Sequence, residues 1–407
     1  MGYFKNALKG VTWMTAFRVV YRLIGIIRLS IIAHILSPHD LGVFGIATIS
    51  LGFLEIVTET GINVFLIQEK KTNKYINSAW VVSIIRGILI SLIIVLTAGN
   101  TSTFFNSPET RSLLYLVALV PLIRGFINPS IVKFQKYLFF NKEFFYRASV
   151  YFVESIFSIS GAIILKNPLG LVLGFIGGAI YELIFTFIAV KPLPRFIIEF
   201  ERIRKVIRRG IWVTLFGIFD YIYTQADNIV VGRLLGVSSL GIYQNAYKVS
   251  TLPLSEVGDI FFRVTFPVFS KFPDESDRLK RAFLKTVLVN TILIVTSGVT
   301  IFVFASSLVK LLFGSGWEAA VPVIKILSVL GIVRGIIGST GSLLVAKRKQ
   351  KYAAIAMVIS AAGLLVTIIP LTIKFGIMGA GISAIIGIFS SVPFVIFYVN
   401  KTLNAKN

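Results

Sequence analysis

The chain has 407 residues, of which 56% are hydrophobic and 14% charged. A soluble domain carries about 25% charged residues, and the apolar runs here exceed the roughly 18–20 residues that cross a bilayer, so a water-soluble fold is excluded. A transmembrane barrel is excluded too, because its strands read as short alternating segments; the formal net charge of +23 is interpreted below from where the bases lie.

Spans are predicted near residues 10–35, 42–66, 79–98, 112–132, 149–165 and 169–190, then 210–232, 240–268, 283–305, 320–345, 353–371 and 376–399. Lys5 and Lys9 precede the first run, as in a signal peptide. Arg18, Arg22 and Arg28 interrupt it, however, and no small-residue cleavage site follows, so it reads as a retained helix. Alternate loops separate by charge. One set, with both termini, holds 26 Lys and Arg; the other holds five, namely Arg111, Lys166, Arg233, Lys310 and Lys374. The positive-inside rule then places both termini in the cytoplasm. The basicity reflects topology and attraction to anionic lipid head groups, and nucleic acid is not expected as a partner. With no cysteine in the chain, disulfide and thiolate chemistry are absent.

The basic stretch from Lys191 to Arg209 divides six spans from six. The expected organisation is a lobe at 1–190, a cytoplasmic linker at 191–209 and a second lobe at 210–407. The halves share punctuation. Leu36-Ser37-Pro38 with Leu41-Gly42-Val43-Phe44 matches Leu235-Gly236-Val237 with Leu240-Gly241-Ile242-Tyr243. Ile123-Arg124-Gly125 matches Val333-Arg334-Gly335, and Leu169-Gly170-Leu171 matches Phe375-Gly376-Ile377. The offsets are 199, 210 and 206 residues. An even number of spans in each half makes these parallel repeats. The predicted fold class is an all-α polytopic membrane protein of about twelve helices, in two six-helix lobes around a central basic cavity.

Charges inside the spans are the informative residues, since each costs roughly 2.5–3.5 kcal/mol at a helix centre. Ten bases and eight acids fall there. Some acids and bases are expected to neutralise one another, as Asp259 and Arg263 do at i,i+4 spacing. Glu55 and Glu59 share a face of the second span. The bases outnumber the acids, and Arg18, Arg22, Arg124 and Arg334 are the candidate ligands for a pyrophosphate, because guanidinium binds phosphate bidentately and keeps its charge when desolvated. Arg124 and Arg334 occupy equivalent repeat positions. Glu55, Asp220 and Asp227 are the candidate proton or sodium sites, since a buried acid can titrate near neutrality. Trp13, Tyr221, Tyr223, Tyr243 and Tyr247 are candidates for stacking on sugars or for core packing. His34 and His39 read as solvated turn residues, not metal ligands. No phosphate-binding loop is present, and neither a cofactor nor catalysis is expected.

One stretch carries a family resemblance. It reads Gln225-Ala226-Asp227-Asn228-Ile229-Val230-Val231-Gly232-Arg233-Leu234-Leu235-Gly236, then Leu240-Gly241-Ile242-Tyr243-Gln244-Asn245-Ala246-Tyr247, with Leu252-Pro253 and Phe266-Pro267 beyond. Leu312-Phe313-Gly314 with Trp317, and the first hairpin at Leu36-Ser37-Pro38, extend it. Together these resemble polysaccharide-export flippases of the Wzx type, within the multidrug/oligosaccharidyl-lipid/polysaccharide exporter superfamily. The resemblance implies twelve to fourteen helices in two lobes. It also implies movement of a polyprenyl-pyrophosphate-linked glycan to the outer leaflet of the cytoplasmic membrane. Separately, a monomer is the expected working form. The alternatives are a cation-coupled small-molecule exporter of the same superfamily and, in a different class, an integral-membrane polymerase or glycosyltransferase using Asp40 or Glu109.

Overall fold

The computed structural model describes the backbone of residues 2–59, 61–271 and 276–404; side chains are described except in 1–17, in 207–216 and at a set of positions between 252 and 277. Every regular element among the described residues is helical. The helices are α1 (Gly2–Ile35), α2 (Pro38–Val57), α3 (Ile62–Gln68), α4 (Ile76–Phe104), α5 (Pro108–Val117), α6 (Leu119–Gly125), α7 (Lys133–Lys136), α8 (Phe140–Leu165) and α9 (Leu169–Ala189). They continue as α10 (Phe200–Leu235), α11 (Val237–Lys271), α12 (Ser276–Val303), α13 (Ala305–Leu312), α14 (Ala320–Ala346) and α15 (Gln350–Asn404). Among the described residues, seven are long and apolar enough to cross a membrane, or eight if the bent pair 108–136 counts as one span. The helices α1, α10 and α11 have 34, 36 and 35 residues, ample for a bilayer at 1.5 Å per residue. They also carry charges, such as Arg18, Arg22 and Arg28 on α1.

Two predicted spans are broken. The run at 42–66 divides into α2 and α3, because Gly61 adopts φ 60 at the start of α3. The run at 112–132 bends by 69° after Gly125, where Asn128 is extended and Pro129 follows. Two other predicted spans lie within one helical run. α15 has 55 residues, and at Gly376 the backbone turns through φ 61, ψ −141. Its two arms pack back to back. Tyr352 and Tyr398 stack at 3.8 Å, and the Ser390 hydroxyl donates to the Ile359 carbonyl at 3.3 Å.

The helices α8 and α9 form the same kind of hairpin, turning at Lys166 with φ 49. Lys166 and Gly376 lie 210 positions apart, so the third sequence match, set at 206, shifts by one helical turn. A second contact repeats at the same offset: Gly125 lies against Ile84, and Gly335 against Ile294. In the first hairpin the offset is 199. Ser37 caps α2 with Leu41 N–H on its carbonyl, and Gly236 accepts Leu240 N–H in the same way, both at 3.2 Å.

Glycines let α8 and α9 touch backbone to backbone. A Cβ at Gly170 would overlap the Gly161 carbonyl carbon and stand 2.5 Å from Ala162 N. No flexible side chain can yield there. Gly170→Val is therefore expected to destabilise by about 3 kcal/mol, the upper part of the usual overpacking range. A Cβ at Gly99 would meet nothing within 4 Å, so Gly99→Ala is the control that holds its midpoint. Thermal unfolding of detergent-solubilised protein measures both.

The chain divides into two compact units, Met1–Gln225 and Ala226–Asn407. Within the first, the 191–209 stretch is stitched down rather than loose. The buried Asn128 amide donates to the carbonyls of Val190 and Pro192, each at 3.3 Å. Lys133 holds the Lys191 carbonyl at 2.7 Å, and Asn77 accepts the Arg195 N–H at 2.9 Å. Further on, Val206 joins the cluster of Ile62, Phe65 and Leu66.

Candidate functional site

Inside the first unit is a cavity of about 470 Å³, lined by residues of α1, α3, α4, α6, α8 and α9, of the turn between α2 and α3 and of the segment after α6. Small-molecule sites fall at about 300–1,000 Å³. Three arginines, Arg86, Arg124 and Arg147, and three glutamates, Glu59, Glu154 and Glu182, stand in its wall. Charge there is balanced.

Most of these charges are closely matched. Arg28 Nη1 meets Glu154 Oε1 at 2.7 Å, with about a tenth of each side chain exposed. Its guanidinium also lies 5.9 Å from the Tyr151 ring, which packs on Tyr21 at 4.0 Å. Arg28 stands near a predicted span end, where a base can snorkel to the interface, yet it is tied across helices. Arg147 pairs with Glu143 one turn before it. Arg86 reaches the end of α2, where helical carbonyls lack intrahelical partners. It donates to the Glu55 carbonyl at 2.5 Å and to Thr58 Oγ1 at 3.2 Å, and meets Glu59 at 3.3 Å.

Arg124 differs. Its nearest carboxylates are Glu55 at 3.6 Å and Glu182 at 3.8 Å, both beyond hydrogen-bonding reach. Its Nε is buried and has no hydrogen-bond partner. The Tyr146 hydroxyl donates to Glu182 from α8. The structure thus brings together Arg124, a candidate cargo ligand, and Glu55, a candidate ion site. Arg18 and Arg22 are half-buried on α1, on either side of Tyr21 in sequence.

Of the other candidates, Asp227, Tyr243, Tyr247 and Arg334 belong to the second unit, and Asp220, Tyr221 and Tyr223 to the first. Asp227 is buried and accepts from the Tyr243 hydroxyl and from Asn228 N–H, both at 2.8 Å. Arg334 donates to the Tyr247 hydroxyl. Asp220 is exposed, and its carbonyl accepts from Thr224 at 2.8 Å. Tyr221 and Tyr243 are buried, Tyr221 donating to the Ile49 carbonyl at 2.5 Å, and Tyr223 is half-buried. The side chains of Trp13, Asp259 and Arg263 lie outside the described residues. At the turn before α2, Asp40 accepts from Ser37 N and Oγ in a capping box, and His39 pairs with Glu109 at 2.8 Å. Those contacts give Asp40 and Glu109 structural work.

Arg86, Arg147, Glu154, Glu182 and Tyr146 are cavity residues that the sequence pattern does not single out. Glu182 stood only among the intraspan acids, and its partners lie 58 and 36 positions away.

Many apolar helices with a charged cavity inside one bundle are the build of a multi-pass membrane transporter. Residues 31–322 match the polysaccharide biosynthesis protein family, and the chain belongs to it. It is 24% identical over 348 residues to the lipopolysaccharide biosynthesis protein WzxC of Escherichia coli, covering 85% of this chain and 71% of that one. It is 22% identical over 363 residues to the teichuronic acid biosynthesis protein TuaB of Bacillus subtilis, covering 86% and 73%. Its fold is similar to that of the lipid II flippase MurJ in an inward closed conformation, with a TM-score of 0.77, 16% identity, and 96% and 89% of the two chains covered.

Proposed function

We propose that this chain flips a polyprenyl-pyrophosphate-linked oligosaccharide across the cytoplasmic membrane, supplying surface polysaccharide or glycan export. In this reading twelve spans form two six-helix lobes, with both termini in the cytoplasm. Access to the cargo site alternates between the two sides of the membrane, and a monomer does the work. Family membership and the names of the relatives support the cargo class. Arg124 carries the reading. A guanidinium that lines a cavity and has no carboxylate within hydrogen-bonding distance suits a phosphate oxygen better than two distant carboxylates do. Arg18, Arg22 and Arg334 complete the pyrophosphate ligands in this proposal. Asp220, Asp227 and Glu55 are its proton or sodium sites. The prenyl tail stays in lipid.

The test is a reconstituted one. Proteoliposomes carrying a fluorescent prenyl-pyrophosphate glycan, under an imposed proton or sodium gradient, are expected to move it between leaflets. Transfer no faster than in protein-free vesicles would overturn the proposal. The charge balance of the cavity favours one second reading, a cation-coupled exporter of small molecules. Drug resistance on expression, without glycolipid transfer, is its signature.

A further inference from the structure

We propose that Glu182 is a built-in stand-in for the cargo: it neutralises Arg124 in the empty carrier and is displaced when phosphate arrives. The proposal rests on Arg124 as a cargo ligand.

The geometry around Arg124 is that of a charge balanced without close pairing. Two carboxylates balance its charge at 3.6 and 3.8 Å, while Nε–H makes no hydrogen bond. A committed structural pair looks different in this same bundle: Arg28 and Glu154 meet at 2.7 Å. Arg124 is therefore neutralised through space, and its side chain, 34% exposed, remains accessible from the cavity it lines.

Glu182 is placed for this role more than Glu55. Its side chain is 18% exposed against 36%, so it is the more shielded counter-charge. It also has somewhere to go. The Tyr146 hydroxyl already donates to it and can hold the carboxylate once Arg124 has turned to phosphate. The neighbouring arginines are engaged elsewhere. Arg147 is on Glu143, Arg28 is on Glu154, and Arg86 is on Glu59 and the end of α2.

Charge makes the exchange compulsory in one direction and useful in the other. A pyrophosphate diester beside Arg124 would face two carboxylates, and like charges at such distances repel strongly in a low-dielectric interior. Cargo binding must therefore push Glu182 back. When cargo leaves, an unpaired guanidinium within a membrane bundle is costly, and Glu182 returns to it. The empty carrier then re-orients without a bare charge. Glu182 thus acts through Arg124, as a positioning residue that weakens binding and speeds the return.

The experiment separates those two effects. Wild type, Glu182→Gln and Arg124→Ala are compared for binding of a short-chain, water-soluble prenyl-pyrophosphate sugar and for flipping in proteoliposomes. Glutamine keeps the shape and an acceptor for Tyr146. Glu182→Gln is expected to bind the probe about tenfold more tightly, a size typical of removing one like charge from a site. Multiple-turnover flipping is expected to fall several-fold, with KM and kcat dropping together, while a single flip from preloaded carrier keeps its rate. Weaker binding by a folded Glu182→Gln, or unchanged binding with unchanged turnover, would overturn the proposal. Failure of the underlying reading looks different. In that case wild type and Arg124→Ala bind the probe alike, or neither binds it.

Discussion

Replacing Arg124 with alanine is expected to reduce glycan export to background, by two orders of magnitude or more. Charge-assisted hydrogen bonds to a phosphate are about twice as strong as neutral ones. Losing the guanidinium removes them and also leaves Glu55 and Glu182 facing the cargo without a cation between them. Arg124→Lys restores charge but not the planar fork, and is expected to recover export only in part. Arg124→Ala with Glu55→Gln and Glu182→Gln removes the stranded carboxylates, so that loss of the ligand is separated from loss of folding. Correctly inserted protein is verified by size exclusion in detergent, and export is read from surface glycan. Normal export by inserted Arg124→Ala would remove Arg124 from the cargo site.

The legible part of this fold was whatever depends on neighbours in sequence. Long apolar runs placed the helices, and the short turn at Ser37-Pro38 before Leu41-Gly42 marked the first hairpin, where Ser37 and Asp40 form a capping box. Glu55 and Glu59 both turn towards arginines, Arg124 and Arg86, but α2 ends at Val57, so Glu59 lies beyond the helix whose face the spacing assigns it. Breaks were harder. Gly61, with a φ of 60, follows the polar Thr58-Glu59-Thr60, a local turn signal that the apolar residues on either side outweighed. The partners in the site lie far apart in sequence: Arg28 from Glu154, Arg124 from Glu182. Only packing of α1 on α8 and of α6 on α9 brings them together. Spacing rules see one helix at a time, which is why the excess of bases suggested a basic cavity, while the wall inside the first unit carries as many glutamates as arginines.

Breaking the Arg28–Glu154 pair gives the second large effect, on stability. Arg28→Met is expected to destabilise by about 3–5 kcal/mol, the usual consequence of leaving one member of a buried pair unpaired. The methionine keeps most of the apolar bulk against Tyr151 and Phe175, whose rings flank Arg28 at 5.9 and 6.0 Å. The loss is therefore electrostatic and not a matter of volume. Arg28→Met with Glu154→Gln removes both charges and is expected to regain most of the midpoint, since neutral replacement of a buried pair is often harmless. The double-mutant cycle, read by thermal unfolding in detergent, then reports a coupling of about 2 kcal/mol or more. Equal stability of Arg28→Met and wild type would show that the pair does not join α1 to α8. The same cycle bears on transport. Glu154 lines the cavity that holds Arg124, and without Arg28 it becomes an unpaired carboxylate in that wall, a further competitor for the cargo's cation. Export should therefore fall in the single variant and return in the double one. That pattern separates a pair that keeps Arg124 available from one that only fastens two helices.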